Sequence, residues 1–259
     1  MGRAVGRSPP GPVLLMFRPV FGVEVEPALA AEGVVRLGTN LCHWFLLESD
    51  GRVVVVDAGL PAYRPQLERG LAVLGRGPAD VEAVVATHDH IDHTGAAGTL
   101  SRELGVPVYL HAAERTSRAE RSRLPYLRHR AAWVFLTHLE SSGRPEPPGR
   151  IETFEDGAQL PGGLRAIHTG GHTSGHCVFV HESRGLLFAG DLICTRNPLT
   201  GGLGPQLLPR ALNLSSGTML DSLTRLESLE VGTILFGHGE PWTQGAAAAV
   251  RRAREIGLT

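Results

Sequence analysis

The 259-residue sequence predicts an α+β sandwich, with two β-sheets face to face and helices outside. Three observations carry this prediction. Segments of strand and helix character alternate through two successive halves of the chain. An Asp50-Gly51 pair between two apolar runs gives a strong hairpin signal in the first half. Later apolar runs repeatedly end in glycine with a His or Asp beside it, where the backbone must pack closely against something.

Composition narrows the class. A hydrophobic content of 42% with 20% charged residues suits a soluble globular protein with a full core. A net charge of −1 gives no support for a nucleic-acid or membrane-surface binder, which leaves a small-molecule substrate as the expected partner. Cys42, Cys177 and Cys194 are too few and too scattered for a disulfide framework. The apolar run Val13 to Phe17 is too short for a signal-peptide core, and no stretch reaches transmembrane length, so a cytoplasmic location is expected. The oligomeric state is left open, a homodimer included.

Residues 1–12, dominated by Gly, Pro and Arg, read as a loose tail before one domain over 13–259. Strands are expected from Val34 onward, with 40–47 and 52–56 flanking the Asp-Gly turn. Residues 65–74 follow as a helix with Leu67, Leu71 and Leu74 on one face. The β-branched run 81–87 reads as a buried strand, 96–104 as a helix and 107–110 as a strand. A helical insert is expected over about 112–150, carrying Arg115, Arg118, Arg121, Arg123, Arg128 and Arg130 before a Pro/Gly linker; a solvated helix face explains it better than an anion-receiving lid. Strands at 164–168, 177–181, 186–189 and 233–236 complete the second half, and the Gly/Pro/Leu-rich segment 195–216 is expected to form a loop wall of a cleft.

The stretch Thr87-His88-Asp89-His90-Ile91-Asp92-His93-Thr94-Gly95 lies where a strand feeds a helix, a place where α/β folds build sites. It packs three imidazoles and two carboxylates into six residues, and no structural rule asks for that. Imidazole and carboxylate are ligands that zinc, iron and manganese accept, and short spacings let one loop supply several of them. His88 and His90, two apart, can aim at one metal while Asp92 and His93 turn toward another. Further His or Asp residues stand at strand ends in Gly171-His172-Thr173-Ser174-Gly175-His176, Gly190-Asp191 and Gly237-His238-Gly239.

In this order, these motifs resemble those of the metallo-β-lactamase-fold hydrolases, over about residues 34–243. The resemblance implies a four-layer αββα sandwich of two mixed β-sheets. It also implies two divalent metal ions, zinc first and iron or manganese as alternatives. One would be held by His88, His90 and His172, the other by Asp92, His93 and His238, with Asp191 bridging them. Asp57, in Val55-Val56-Asp57-Ala58-Gly59, would buttress the histidine loop, and His176 would be a hydrogen-bonding partner outside the ligand set. The implied reaction is hydrolysis of an ester, lactone or thioester by a metal-bridging hydroxide, with Asp92 as proton acceptor and relay.

Within the family, acyl-homoserine lactonases carry a tyrosine where this chain has Cys194, and glyoxalase II enzymes add a helical C-terminal domain that the short stretch after His238 does not match. Two alternatives of other classes remain. One is a mononuclear iron oxygenase of the persulfide-dioxygenase type, against which the full second ligand set argues. The other is a catalytically silent metal-binding member. Cys194 reads as a small buried residue rather than a nucleophile. Asp89 is expected to face away from the metals, His168 is ambiguous, and His43, His111, His129, His138 and His181 read as structural or surface residues.

Overall fold

In the computed structural model, residues 24–114 and 144–258 are described here. The tail 1–12 and most of the expected insert, including the six arginines named above, lie outside them. Fourteen strands among the described residues form two mixed sheets and a ribbon. In the first sheet, β1 (Ala28–Ala31), β2 (Val34–Gly38), β3 (His43–Ser49) and β4 (Arg52–Val56) pair antiparallel. Parallel pairing then continues through β5 (Val81–Val85), β6 (Val108–His111) and β7 (Ile151–Phe154). In the second, β8 (Gln159–Leu160), β9 (Leu164–His168), β10 (Cys177–His181) and β11 (Leu186–Phe188) run antiparallel, and β14 (Thr233–Leu235) joins β11 in parallel.

Two-residue alternation sorts these strands into layers. On β4, Val54 and Val56 point into the core between the sheets, where Phe45, Leu47, Phe179 and Phe188 meet them. Val53 and Val55 point the other way, under helices α1 (Gln66–Val73) and α3 (Ala97–Leu104), against Leu67, Leu71 and Leu100. The second sheet repeats the arrangement. Ile167, Val178, Val180 and Ile234 face α4 (Ser216–Glu227) and α5 (Ala246–Ile256). The result is the four-layer αββα order, helix layer, sheet, sheet, helix layer.

One expectation changes. The segment 195–216 is not a plain loop wall: Ile193–Arg196 (β12) and Leu203–Leu207 (β13) pair as an antiparallel ribbon, which a short turn at Arg210–Leu212 joins to α4. Gly201, at φ +74°, lets the chain reverse, and Asn197 closes the turn through its side-chain Oδ1, which accepts from Leu199 N and Thr200 N at 3.0 Å. The short helix α2 (Ile91–Thr94), between β5 and α3, is a second element that the sequence reading did not separate.

Phe188 and Phe45 come from opposite sheets and meet edge to face, with centroids 5.6 Å apart. Replacing Phe188 by Ala is expected to lower the free energy of unfolding by about 3–5 kcal/mol in urea titrations, without shifting the slope.

Candidate metal centre

The strands that carry the candidate residues end along one edge. β4 and β5 are parallel, as are β11 and β14, so Asp57, the histidine loop, Asp191 and His238 all leave their strands on matching ends. The 169–176 turn between β9 and β10 closes the set.

The expected residues converge. His172 Nε2 lies 3.2 Å from His88 Nε2 and 2.9 Å from His90 Nδ1, a buried three-nitrogen cluster. Beside it, Asp92 Oδ2 lies 3.8 Å from His93 Nε2 and 3.6 Å from His238 Nε2. Asp191 stands between the two groups. Its Oδ2 is 3.3 Å from both His172 Nε2 and His238 Nε2, and its Oδ1 is 3.2 Å from His93 Nε2.

In His88, His93, His172 and His238 the other ring nitrogen is held, which orients the remaining one inward. Thr87 Oγ1 accepts from His88 Nδ1 at 3.1 Å and donates to the Asp57 carboxylate at 3.0 Å. Asp57 Oδ2 accepts from His93 Nδ1 at 2.9 Å. Asn213 Oδ1 accepts from His172 Nδ1 at 3.0 Å, and the Leu41 carbonyl accepts from His238 Nδ1 at 2.6 Å. His176 stays outside the cluster: its Nδ1 donates to Thr169 Oγ1 at 2.8 Å, and its Nε2 accepts from Asp191 N at 3.0 Å, so it positions Asp191.

The donor set fits cations. His93 Nε2 and Asp191 Oδ1 are buried without a hydrogen-bond partner, which a folded protein rarely leaves so unless an ion or water completes the site. The ligand nitrogens of His88, His90 and His172 lie within 4.8 Å of one another, a donor set that one cation can share. Burial, together with His93, His90 and His172, holds His88 well below the usual histidine range, so it is an open lone pair. For His93 burial pulls the same way, yet the Asp191, Asp57 and Asp92 carboxylates outweigh it and raise it. Burial opposes ionisation of Asp191, but His238 and His93 hold its carboxyl well below the usual carboxylate range. A Cβ on Gly237 would lie 2.6 Å from His93 Cε1 and 2.7 Å from Asp191 Oδ1, so only glycine leaves room there.

The remaining residues fall as follows. Asp89 faces away, accepting from Thr94 Oγ1 at 2.9 Å. Cys194 is buried, and burial raises its thiol, as a packing residue requires. His168 stacks on His111 with centroids 4.4 Å apart, away from the ligand set. Sequence reading missed Asn213 and, above all, Glu114. This fully buried carboxylate accepts from Asp89 N at 3.1 Å on the histidine loop, and from Gly175 N at 2.7 Å and Thr173 Oγ1 on the His172 turn. Its signal was a lone Glu just past the end of β6, indistinguishable from a helix residue.

A model of the metallo-beta-lactamase superfamily matches residues 37–238. Uncharacterized protein Rv2581c of Mycobacterium tuberculosis is 30% identical over 225 residues, covering 81% of this chain and 91% of that one. Probable metallo-hydrolase YybB of Bacillus subtilis is 25% identical over 197 residues, covering 76% and 80%. The chain spans 62% of the length of an Aquifex aeolicus protein to which it is 29% identical over 150 residues. Among solved structures, a metallo-beta-lactamase family protein, TTHA1429 from Thermus thermophilus, matches with a TM-score of 0.64 at 28% identity, covering 88% of this chain and 79% of that one.

Asp57→Asn is expected to weaken metal binding by about 10- to 100-fold in chelator competition while the far-ultraviolet spectrum is retained. Glu114→Gln turns an amide toward donors of one of the two loops, and a drop in stability of about 1–3 kcal/mol, with weaker metal retention, is expected by calorimetry and elemental analysis.

Proposed function

Because the chain belongs to the metallo-β-lactamase superfamily, we propose that it is a dinuclear metal-dependent hydrolase acting on an ester, lactone or thioester bond of a small molecule. One observation carries the reading: two three-residue donor groups share a single carboxylate, whose Oδ2 stands 3.3 Å from a nitrogen of each. His88, His90 and His172 would hold one ion, and Asp92, His93 and His238 the other. A pair of divalent ions so held lowers the pKa of a water and polarises the oxygens of the scissile group. Zinc suits the nitrogen-rich donor set best, with iron or manganese as alternatives.

The protein's part is arrangement and proton handling. Asp92 is the carboxylate placed to take a proton and return it to the leaving oxygen or sulfur, since Asp191 is held ionised between His238 and His93. Thr87, Asp57, Asn213 and the Leu41 carbonyl fix the imidazoles before substrate arrives, so little reorganisation is left for the reaction. The β12–β13 ribbon flanks the Asp191 end of the site and offers the contacts that would select a substrate.

Elemental analysis of the purified chain tests this first, followed by assays on a panel of lactones, thioesters, esters and β-lactams. About two zinc or manganese ions per chain, with turnover of one panel class, are expected. One iron per chain with oxygen consumption in the presence of thiol persulfides would move the assignment to the oxygenase class. His90→Ala should lower metal content and hydrolysis together, by at least about 100-fold for the latter, in a chain that still folds.

A further inference from the structure

His43 stands at the start of β3, 1% exposed, and neither ring nitrogen has a hydrogen-bond partner among the described residues. The Gly239 backbone approaches the ring without reaching bonding geometry. An uncompensated buried imidazole costs free energy, so a native fold retains one where something else completes it. Burial, with Arg36 adding to it, pushes this histidine down to about 4, so at neutral pH the ring is uncharged and offers one N–H donor.

The ring lines a cavity of about 320 Å³ that no candidate metal ligand lines. Val25, Leu203, Pro241 and Trp242 give its lining an apolar part, on which Leu203 is 73% exposed. His43, Arg196 and Glu240 belong to the same lining. The charges do not cancel: Glu240 is paired with Arg36 at 2.5 Å, whereas no described carboxylate pairs with Arg196. Thr195 is spent as a donor, because its hydroxyl bonds the Glu240 carbonyl at 2.6 Å. Among the described residues two donors of this cavity therefore remain without partners, one neutral and one cationic, beside apolar side chains.

We propose that this cavity is a second binding site, beside the metal centre and separate from it, for a small carboxylate with a compact apolar body. Arg196 receives the carboxylate, the His43 N–H donates to one of its oxygens, and Trp242, Pro241 and Leu203 cover the hydrocarbon part. The site does not depend on the hydrolase reading, since none of its residues belongs to either donor group.

Hexanoate, titrated calorimetrically into the full chain as purified, is the test, with hexanamide as the uncharged comparator. Saturable hexanoate binding in the micromolar to about millimolar range is expected, together with at least tenfold weaker binding of hexanamide. Arg196→Gln, at a half-exposed position that leaves the core intact, should weaken hexanoate at least tenfold. His43→Phe should do the same while the thermal midpoint holds or rises, because the phenyl ring needs no partner. Absence of saturable binding, or equal affinity in wild type and both variants, overturns the proposal. So does binding that chelation abolishes and Arg196→Gln spares, which would put the carboxylate on the metals instead.

Discussion

The Asp57 carboxylate is the constraint on which the site depends. Its residue takes a left-handed backbone, φ +58°, that β-branched residues avoid and aspartate tolerates. That turn aims the side chain back along β5, where it accepts from Thr87 N at 2.8 Å and Thr87 Oγ1 at 3.0 Å, and from His93 at the far end of the loop. Both ends of the histidine loop are thereby tied to the turn that follows β4. Main-chain bonds reinforce the tie, from Asp57 N to Val85 O at 2.9 Å and from Ala58 N to His93 O at 2.6 Å. A chain of donors then runs from His88 through Thr87 to Asp57, so one buried carboxylate orients imidazoles of both donor groups.

The centre is also a product of both sheets. Cys177 N, at the head of β10, donates to Thr87 O at 2.9 Å, and His43 N, at the head of β3, donates to Gly237 O at 2.8 Å. Each bond crosses from one sheet to the other beside a candidate ligand. Neither donor group can be complete before the Phe45 and Phe188 layer has closed, because His172, Asp191 and His238 belong to the second sheet and the histidine loop to the first. Metal affinity in such an arrangement draws on the folding free energy, and occupancy in turn stabilises the packed sheets.

This division explains what could be read from the sequence. β4 was legible to the residue because Val53 to Val56 are buried on both faces and bounded by the Asp-Gly turn and by Asp57. The histidine loop was legible because ligand chemistry restricts residue type and close spacing leaves it contiguous. What stayed hidden either acts through the backbone, as the Leu41 carbonyl does on His238, or sits alone in sequence and gains meaning only from distant partners, as Glu114 and Asn213 do. The β12–β13 ribbon was hidden for another reason. Gly201, Gly202, Gly204 and Pro205 are poor strand formers, and the pairing is carried by an edge ribbon whose register shifts between Cys194 and Arg196.

That ribbon joins the candidate metal centre to the neighbouring cavity. His238 is gripped at two points: its ring by the Leu41 carbonyl, and its own carbonyl by Thr195 N at 3.0 Å and Arg196 N at 3.3 Å. Such proximity is open only to a glycine at the next position. A Cβ on Gly239, whose φ is +102°, would fall 2.4 Å from Thr195 Oγ1 and 2.5 Å from Arg196 N. The same two ribbon residues form part of the cavity wall. A displacement of β12 therefore cannot alter the cavity without pulling on the backbone of a candidate ligand, and the short path needs no mobile relay, only the stiffness of a glycine-packed contact.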